Sequence, residues 1–165
     1  MTNLSLDNLQ LVGSLEPLPG ISTASVFSLS IRYLHSLKDL AGLEEMTDIN
    51  FFEVAYNDSL ETLQGLNNLR NVAWLYVLFN PKLEHLDDLS GVLYVSNTFS
   101  VMGNASLQRV SGMTTLNRVG NTFSITGNVL LPTCNAEALA NQVKNRGSYG
   151  FLNISNNDED GQCPG

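Results

Sequence analysis

The chain has 165 residues, of which 43% are hydrophobic and 15% charged, with 16 acidic against 8 basic side chains and a formal net charge of −8. That is the size of one domain able to bury a core, and it offers no basic cluster for nucleic-acid phosphates or an anionic membrane. No apolar run approaches the roughly 18 residues of a membrane helix, so direct membrane insertion by this segment is not expected.

The opening stretch, MTNLSLDNLQLVGSL, lacks the basic head and continuous apolar block of a signal peptide, so export would need a segment upstream of Met1. Within residues 1–26, Leu11, Leu15, Leu18 and Ile21 sketch a degenerate first coil. Residues 27–131 then repeat regularly. Asn57, Asn80, Asn104, Asn128 and finally Asn157 recur at spacings of 23, 24, 24 and 29 residues, and Leu34 fills the slot one repeat earlier. After Asn57, apolar residues follow at every third position (Leu60, Leu63, Leu66, Leu69, Val72), and the same rhythm follows Leu34, Asn80 and Asn104.

Before each asparagine the period shortens to two. Phe52, Val54 and Tyr56, then Leu75, Val77 and Phe79, then Phe99, Val101 and Gly103 occupy minus five, minus three and minus one. Such alternation predicts a half-buried strand with those positions turned inward. A period of three suits a bent wall of short turns and 3₁₀-like pieces. One strand with one such wall cannot bury its own apolar face, whereas stacked copies can. The predicted fold is an all-β repeat, a parallel β-solenoid of about six coils of 23–24 residues.

The asparagine slot admits two readings. Asn57-Asp58-Ser59, Asn104-Ala105-Ser106 and Asn153-Ile154-Ser155 fit the N-glycosylation acceptor pattern, but Asn80 and Asn128 occupy the same repeat slot without it. The repeat favours a structural amide ladder formed by Asn57, Asn80, Asn104, Asn128 and Asn157. Each side chain there can both donate and accept hydrogen bonds where the chain leaves the strand.

Residues 132–165 break the rhythm and read as a cap. A helix is expected over Ala136–Arg146, with Gly147 as its stop, followed by a last strand carrying Leu152 and Ile154. Cys134 and Cys163 flank this segment. As a disulfide they would contribute about 3.6 kcal/mol through loop closure and imply an oxidising compartment. Two reduced buried thiols are the other reading.

Repeats of the form TFSITGNVLLPTC, a short helix, and then NISNNDEDGQCP resemble the bacterial branch of the receptor L-domain family, over about residues 27–164. The resemblance implies a right-handed, leucine-rich-repeat-like β-helical module. It also implies a secreted or cell-surface address, often as a lipoprotein, and no catalytic residues. Leu34 departs from the asparagine pattern.

No site chemistry emerges beside the repeat. His35 and His85 fall in the walls, far from any nucleophile–base or metal-ligand spacing. The acidic run at 156–161 lacks the length of a calcium loop. No cofactor and no enzymatic activity are therefore expected. The outward strand columns are more informative, because Phe51, Trp74, Tyr76, Leu78 and Met102 cluster in the middle coils while the flanking coils are polar. Exposed aromatic patches mark contact surfaces. The expected function is an extracellular, cell-surface or periplasmic recognition or adhesion module that binds protein or glycan through this face. The alternative is a spacer in a larger surface protein, with an upstream domain or a second copy covering the strip.

Overall fold

The structure is a computed structural model and describes residues 2–7, 15 and 26–163. One parallel sheet runs the length of the molecule. Its strands are β1 (Thr2–Asp7), β2 (Val26–Arg32), β3 (Asp48–Ala55), β4 (Asn71–Leu78), β5 (Tyr94–Met102), the short β6 (Arg118–Val119), β7 (Thr122–Thr126) and β8 (Phe151–Ser155). They stack in chain order, with β6 pairing β5 beside β7. The fold is thus a parallel β-solenoid. Among the described residues, four coils, those beginning at β2, β3, β4 and β5, carry both a strand and a complete period-three wall. The expected six had counted two more. One is the last coil, where a helix replaces the wall; the other is the first, whose Leu11, Leu18 and Ile21 lie outside the described residues. Leu15, from the same stretch, is buried.

The wall owes its period to its hydrogen bonds. Leu60 N–H donates to Asn57 O, Leu66 to Leu63 and Leu69 to Leu66, all at 3.0–3.2 Å, and the other coils repeat the pattern. Each bond closes a three-residue turn, so every third side chain returns to the same side. Where this series breaks, the amide pairs with the next coil instead: Leu40 N–H donates to Gln64 O, and Leu63 N–H to the Asp88 carboxylate. Leu60, Leu63, Leu66 and Leu69 are fully buried, as are their equivalents in neighbouring coils.

Asn57, Asn80, Asn104 and Asn128 are also completely buried, and Asn157 nearly so. Asn104 shows the common geometry. Its Nδ2 donates to Val77 O at 3.0 Å, to Met102 O at 3.3 Å and to Asn128 Oδ1 at 3.2 Å. Its Oδ1 accepts from the Asn80 backbone N–H at 3.0 Å. Each amide therefore satisfies the preceding coil's carbonyls and N–H where the chain leaves the strand. Leu34 donates its N–H to Asn57 Oδ1 at 3.0 Å but has no amide to extend the chain of bonds. Burial of Asn57 and Asn104 leaves no room for a glycan on either.

The residue just before each asparagine departs from the expected inward position. Strands end one residue earlier, and the chain turns through left-handed conformation at Tyr33 (φ 57), Tyr56 (φ 58), Phe79 (φ 51), Gly103 (φ 68), Gly127 (φ 67) and Asn156 (φ 56). Alternation cannot continue through such a turn, so these side chains leave the core. Tyr33, Tyr56 and Phe79 stack along the solenoid edge instead, with successive ring centroids 5.0 Å apart and planes within 14° of parallel. Contact between the rings offsets a backbone conformation that bulky residues otherwise avoid. The backbone ladder continues through the turn, as Tyr56 N–H donates to Leu78 O and Phe79 N–H to Met102 O.

The helix α1 spans Thr133–Arg146 and begins three residues before the expected Ala136, taking Cys134 into its first turn. Gly147 closes it through a bond to Val143 O, but in extended rather than left-handed conformation. Glycine is needed there for space, because a Cβ would lie 2.5 Å from Asn117 O. Asn135 Oδ1 accepts from Val110 N–H, and Gln142 Nε2 donates to Met113 O and Leu116 O, so α1 covers the open wall of the preceding coil. A disulfide joins Cys134 to Cys163. The cap covers less of the strand side. Leu152, in an inward slot of the edge strand β8, remains 42% exposed, and Phe151 beside it 59%.

Two stability predictions follow from this geometry. Asn104→Ala leaves the Asn80 N–H without its acceptor, removes the side-chain bond to Val77 O and should cost about 1–3 kcal/mol in urea unfolding; a near-neutral result would refute the ladder's stabilising role. Gly103 and Gly127 share the same backbone conformation, but a Cβ on Gly103 would strike the Phe79 ring, whereas one on Gly127 meets nothing nearer than 3.8 Å. Gly127→Ala should cost roughly 1–2 kcal/mol from conformation alone, with Gly103→Ala the more damaging; the reverse order in thermal melts would contradict the stacked-ring account.

Candidate functional site: the outer face of the sheet

Strand register places the outward residues in straight columns across the coils. One column runs Ser28, Phe51, Trp74, Thr98, Thr122 and Phe151, and a second runs Ser30, Glu53, Tyr76, Ser100, Ser124 and Asn153. Asn153, in the remaining acceptor pattern, is thus half-buried on β8 at the far end from the aromatic cluster. Phe51 and Tyr76 meet diagonally across β3 and β4, with ring centroids 5.6 Å apart. Together with Trp74, Phe27, Ser28, Asn3 and Asn50 they line a shallow depression of about 380 Å³.

The five residues expected to form a binding face therefore divide. Phe51, Trp74 and Tyr76 are brought together in the depression. Leu78 and Met102 pair across β4 and β5 at the opposite ends of their strands, half-buried and outside it.

A second depression of about 360 Å³ adjoins the first where the strands begin. Phe27 and Asn50 belong to both, and Asp48, Asn71, Ala73, Tyr94 and Ser96 line its remainder. The two form one trough crossing several strands. Sequence columns counted back from the asparagine missed Phe27, Asp48, Asn50, Asn71 and Tyr94, because the chain does not alternate cleanly there. In β3, Asn50 and Phe51 are both only half-buried between the buried Ile49 and Phe52. Between β4 and β5 the register slips, so that Ala73 alone stands opposite Ser96 and Asn97. This bulge absorbs the extra residue of a 24-residue coil. The available signal was the pair Phe27 and Tyr94, large aromatics falling in no core slot, and they are 37% and 46% exposed.

Charge on this face is arranged as fixed pairs. Asn71 Nδ2 donates to Asp48, and Thr47 Oγ1 donates to the same carboxylate at 2.8 Å. The Asn71 bond first, and then the Thr47 bond, hold the Asp48 carboxyl below its ordinary pKa range against a small opposing effect of burial. Ser30 Oγ donates to Glu53 at 2.7 Å, and Arg32 lies between Asp7 and Glu53, with Nε 3.2 Å and 3.5 Å from their carboxylates. Among the described residues no lysine or arginine lines either depression; Arg118 stands beside Tyr94 on β6, next to the trough's end.

The histidines lie elsewhere. His35 Nδ1 contacts the Asp58 carboxylate at 2.7 Å on an exposed part of the wall, and His85 Nδ1 accepts from the Asp87 N–H. Among the described residues, no three His, Cys, Asp or Glu side chains converge as metal ligands.

Comparison with protein-family models, with curated proteins and with solved structures finds no significant match to this chain.

A carboxyl whose folded pKa is depressed adds stability above its unfolded pKa and loses it as pH falls through the folded value. Asn71→Ala should raise the Asp48 midpoint in a carboxyl-carbon NMR titration and weaken the acid dependence of stability that Asp48 contributes. An unmoved midpoint would show that the amide does not hold the carboxylate.

Proposed function

We propose that the chain is a non-enzymatic recognition or adhesion module of the receptor L-domain type, working outside the cytoplasm through the outer face of its sheet. The observation that carries this reading is the trough itself. Phe27, Phe51, Trp74 and Tyr76 gather half-exposed on one side of a rigid parallel sheet, although the solenoid core needs none of them. Large aromatics held open on a regular scaffold are typical contact residues, since few rotamers are lost when a partner covers them. The extracytoplasmic address is supported by the Cys134–Cys163 disulfide, a bond that persists in oxidising compartments. Assignment to the receptor L-domain family is supported by the wall period, the inward asparagines and the helix-and-disulfide cap.

The reading is tested with the double variant Trp74→Ala/Tyr76→Ala, screened beside the wild type on glycan arrays and against cell-surface fractions. Both side chains point away from the core, so the fold should survive, with a loss of about 1–3 kcal/mol from the Phe51–Tyr76 contact and the half-buried aromatic area, while binding is lost. Binding retained by the variant rejects this face. A wild type that binds nothing favours the spacer reading, in which the module only separates other parts of a larger surface protein.

A further inference from the structure

Resting on that reading of the sheet face, we propose that the trough is a site for a neutral oligosaccharide lying across strands β2 to β5. Its lining combines two kinds of group that few other ligands satisfy together. Phe27, Phe51, Trp74 and Tyr76 supply aromatic surface for the C–H faces of sugar rings, and Asn50 and the Asp48–Asn71 pair supply amide and carboxylate groups for hydroxyls. A hydroxyl both donates and accepts, so it can meet the amide as well as the carboxylate. Asp48 is already oriented by Asn71 and Thr47, which leaves less ordering for the ligand to impose.

Charge argues against anionic ligands. Among the described residues no lysine or arginine lines the trough, Asp48 is ionised within it, and Arg118 stands only at its end, beside Tyr94. A lipid tail fits poorly, because amides and a carboxylate sit among the rings and a chain lying there would desolvate them without replacing their hydrogen bonds. Shape argues for a chain rather than a single sugar. The trough crosses four strands, a span of about 14 Å at the usual strand spacing of roughly 4.8 Å.

The test uses Trp74, the only tryptophan in the chain and therefore a direct reporter of the trough. Tryptophan emission and calorimetric heat are followed while hexasaccharides of the neutral gluco, manno, xylo, galacto and N-acetylglucosamine series are added, with oligogalacturonate as the acidic comparison. The expected result is a saturable emission change and heat with at least one neutral series, with the hexasaccharide binding more tightly than its disaccharide. Asn50→Ala should weaken that binding about ten-fold, the loss expected when one polar contact to a buried hydroxyl is removed, with melting unchanged. The inference is overturned if no neutral series gives a saturable change, if oligogalacturonate binds more tightly, or if Asn50→Ala binds the sugar unchanged. Should Trp74→Ala/Tyr76→Ala abolish binding to a purified surface protein while no sugar binds the wild type, the recognition face stands and the glycan assignment falls. If neither protein nor sugar binds, both fall.

Discussion

At every coil the chain leaves its strand and turns inward, and at that point backbone carbonyls and N–H groups face an apolar interior. Water cannot reach them, so they need partners from the protein itself. The asparagine amides provide these partners, each bonding to its own coil and its neighbours, as when Asn80 Nδ2 donates to Val54 O and Leu78 O. This contact also sets the register. Sliding a strand by one residue would carry its amide away from the carbonyls it serves and turn the apolar column outward. Because register is held, the outward residues of successive strands stand beside one another. Phe51, Trp74 and Tyr76 become one surface for that reason.

The edge of the solenoid depends on the same turn. Left-handed conformation is costly for large side chains, yet Tyr33, Tyr56 and Phe79 adopt it and stack, and glycine takes over at Gly103 and Gly127. The two solutions meet at the Phe79 ring, which lies over Gly103 and would be displaced by any Cβ there. The coils at Tyr33, Tyr56 and Phe79 thus compensate for the strain by contact between rings, those at Gly103 and Gly127 avoid it by having no side chain, and the last uses Asn156, a residue type that tolerates this conformation.

Much of the architecture was legible in the sequence because it depends on strict spacing. The asparagine slot, the period-three leucines and the alternating core positions of the strands all obey fixed intervals. What could not be read depends on local breaks in those intervals. The position before each asparagine looks like another inward strand residue, since hydropathy does not record the sign of φ. The early start of the helix was not legible because Thr133 and Cys134 carry no periodic signal of their own. In the candidate site, Trp74 and Tyr76 were visible because they interrupt otherwise polar columns. Phe27, Asn50 and Tyr94 were not, because they lie near the starts of their strands, where in-and-out alternation is not kept, as when Asn50 and Phe51 are both half-buried, and columns counted back from the asparagine lose their meaning.

The bulge between β4 and β5 has a further consequence. The wall and the amide ladder each demand a fixed phase, so a coil that gains or loses a residue must do so elsewhere, and the 23- and 24-residue coils differ where Ser96 and Asn97 stand opposite Ala73. Ala73 and Ser96 also line the trough. Length variation is therefore directed to the wall of the candidate site and away from the core. A related chain could reshape this trough by a single insertion or deletion and keep its scaffold intact, so the corner is where divergence in ligand preference would meet the least structural resistance.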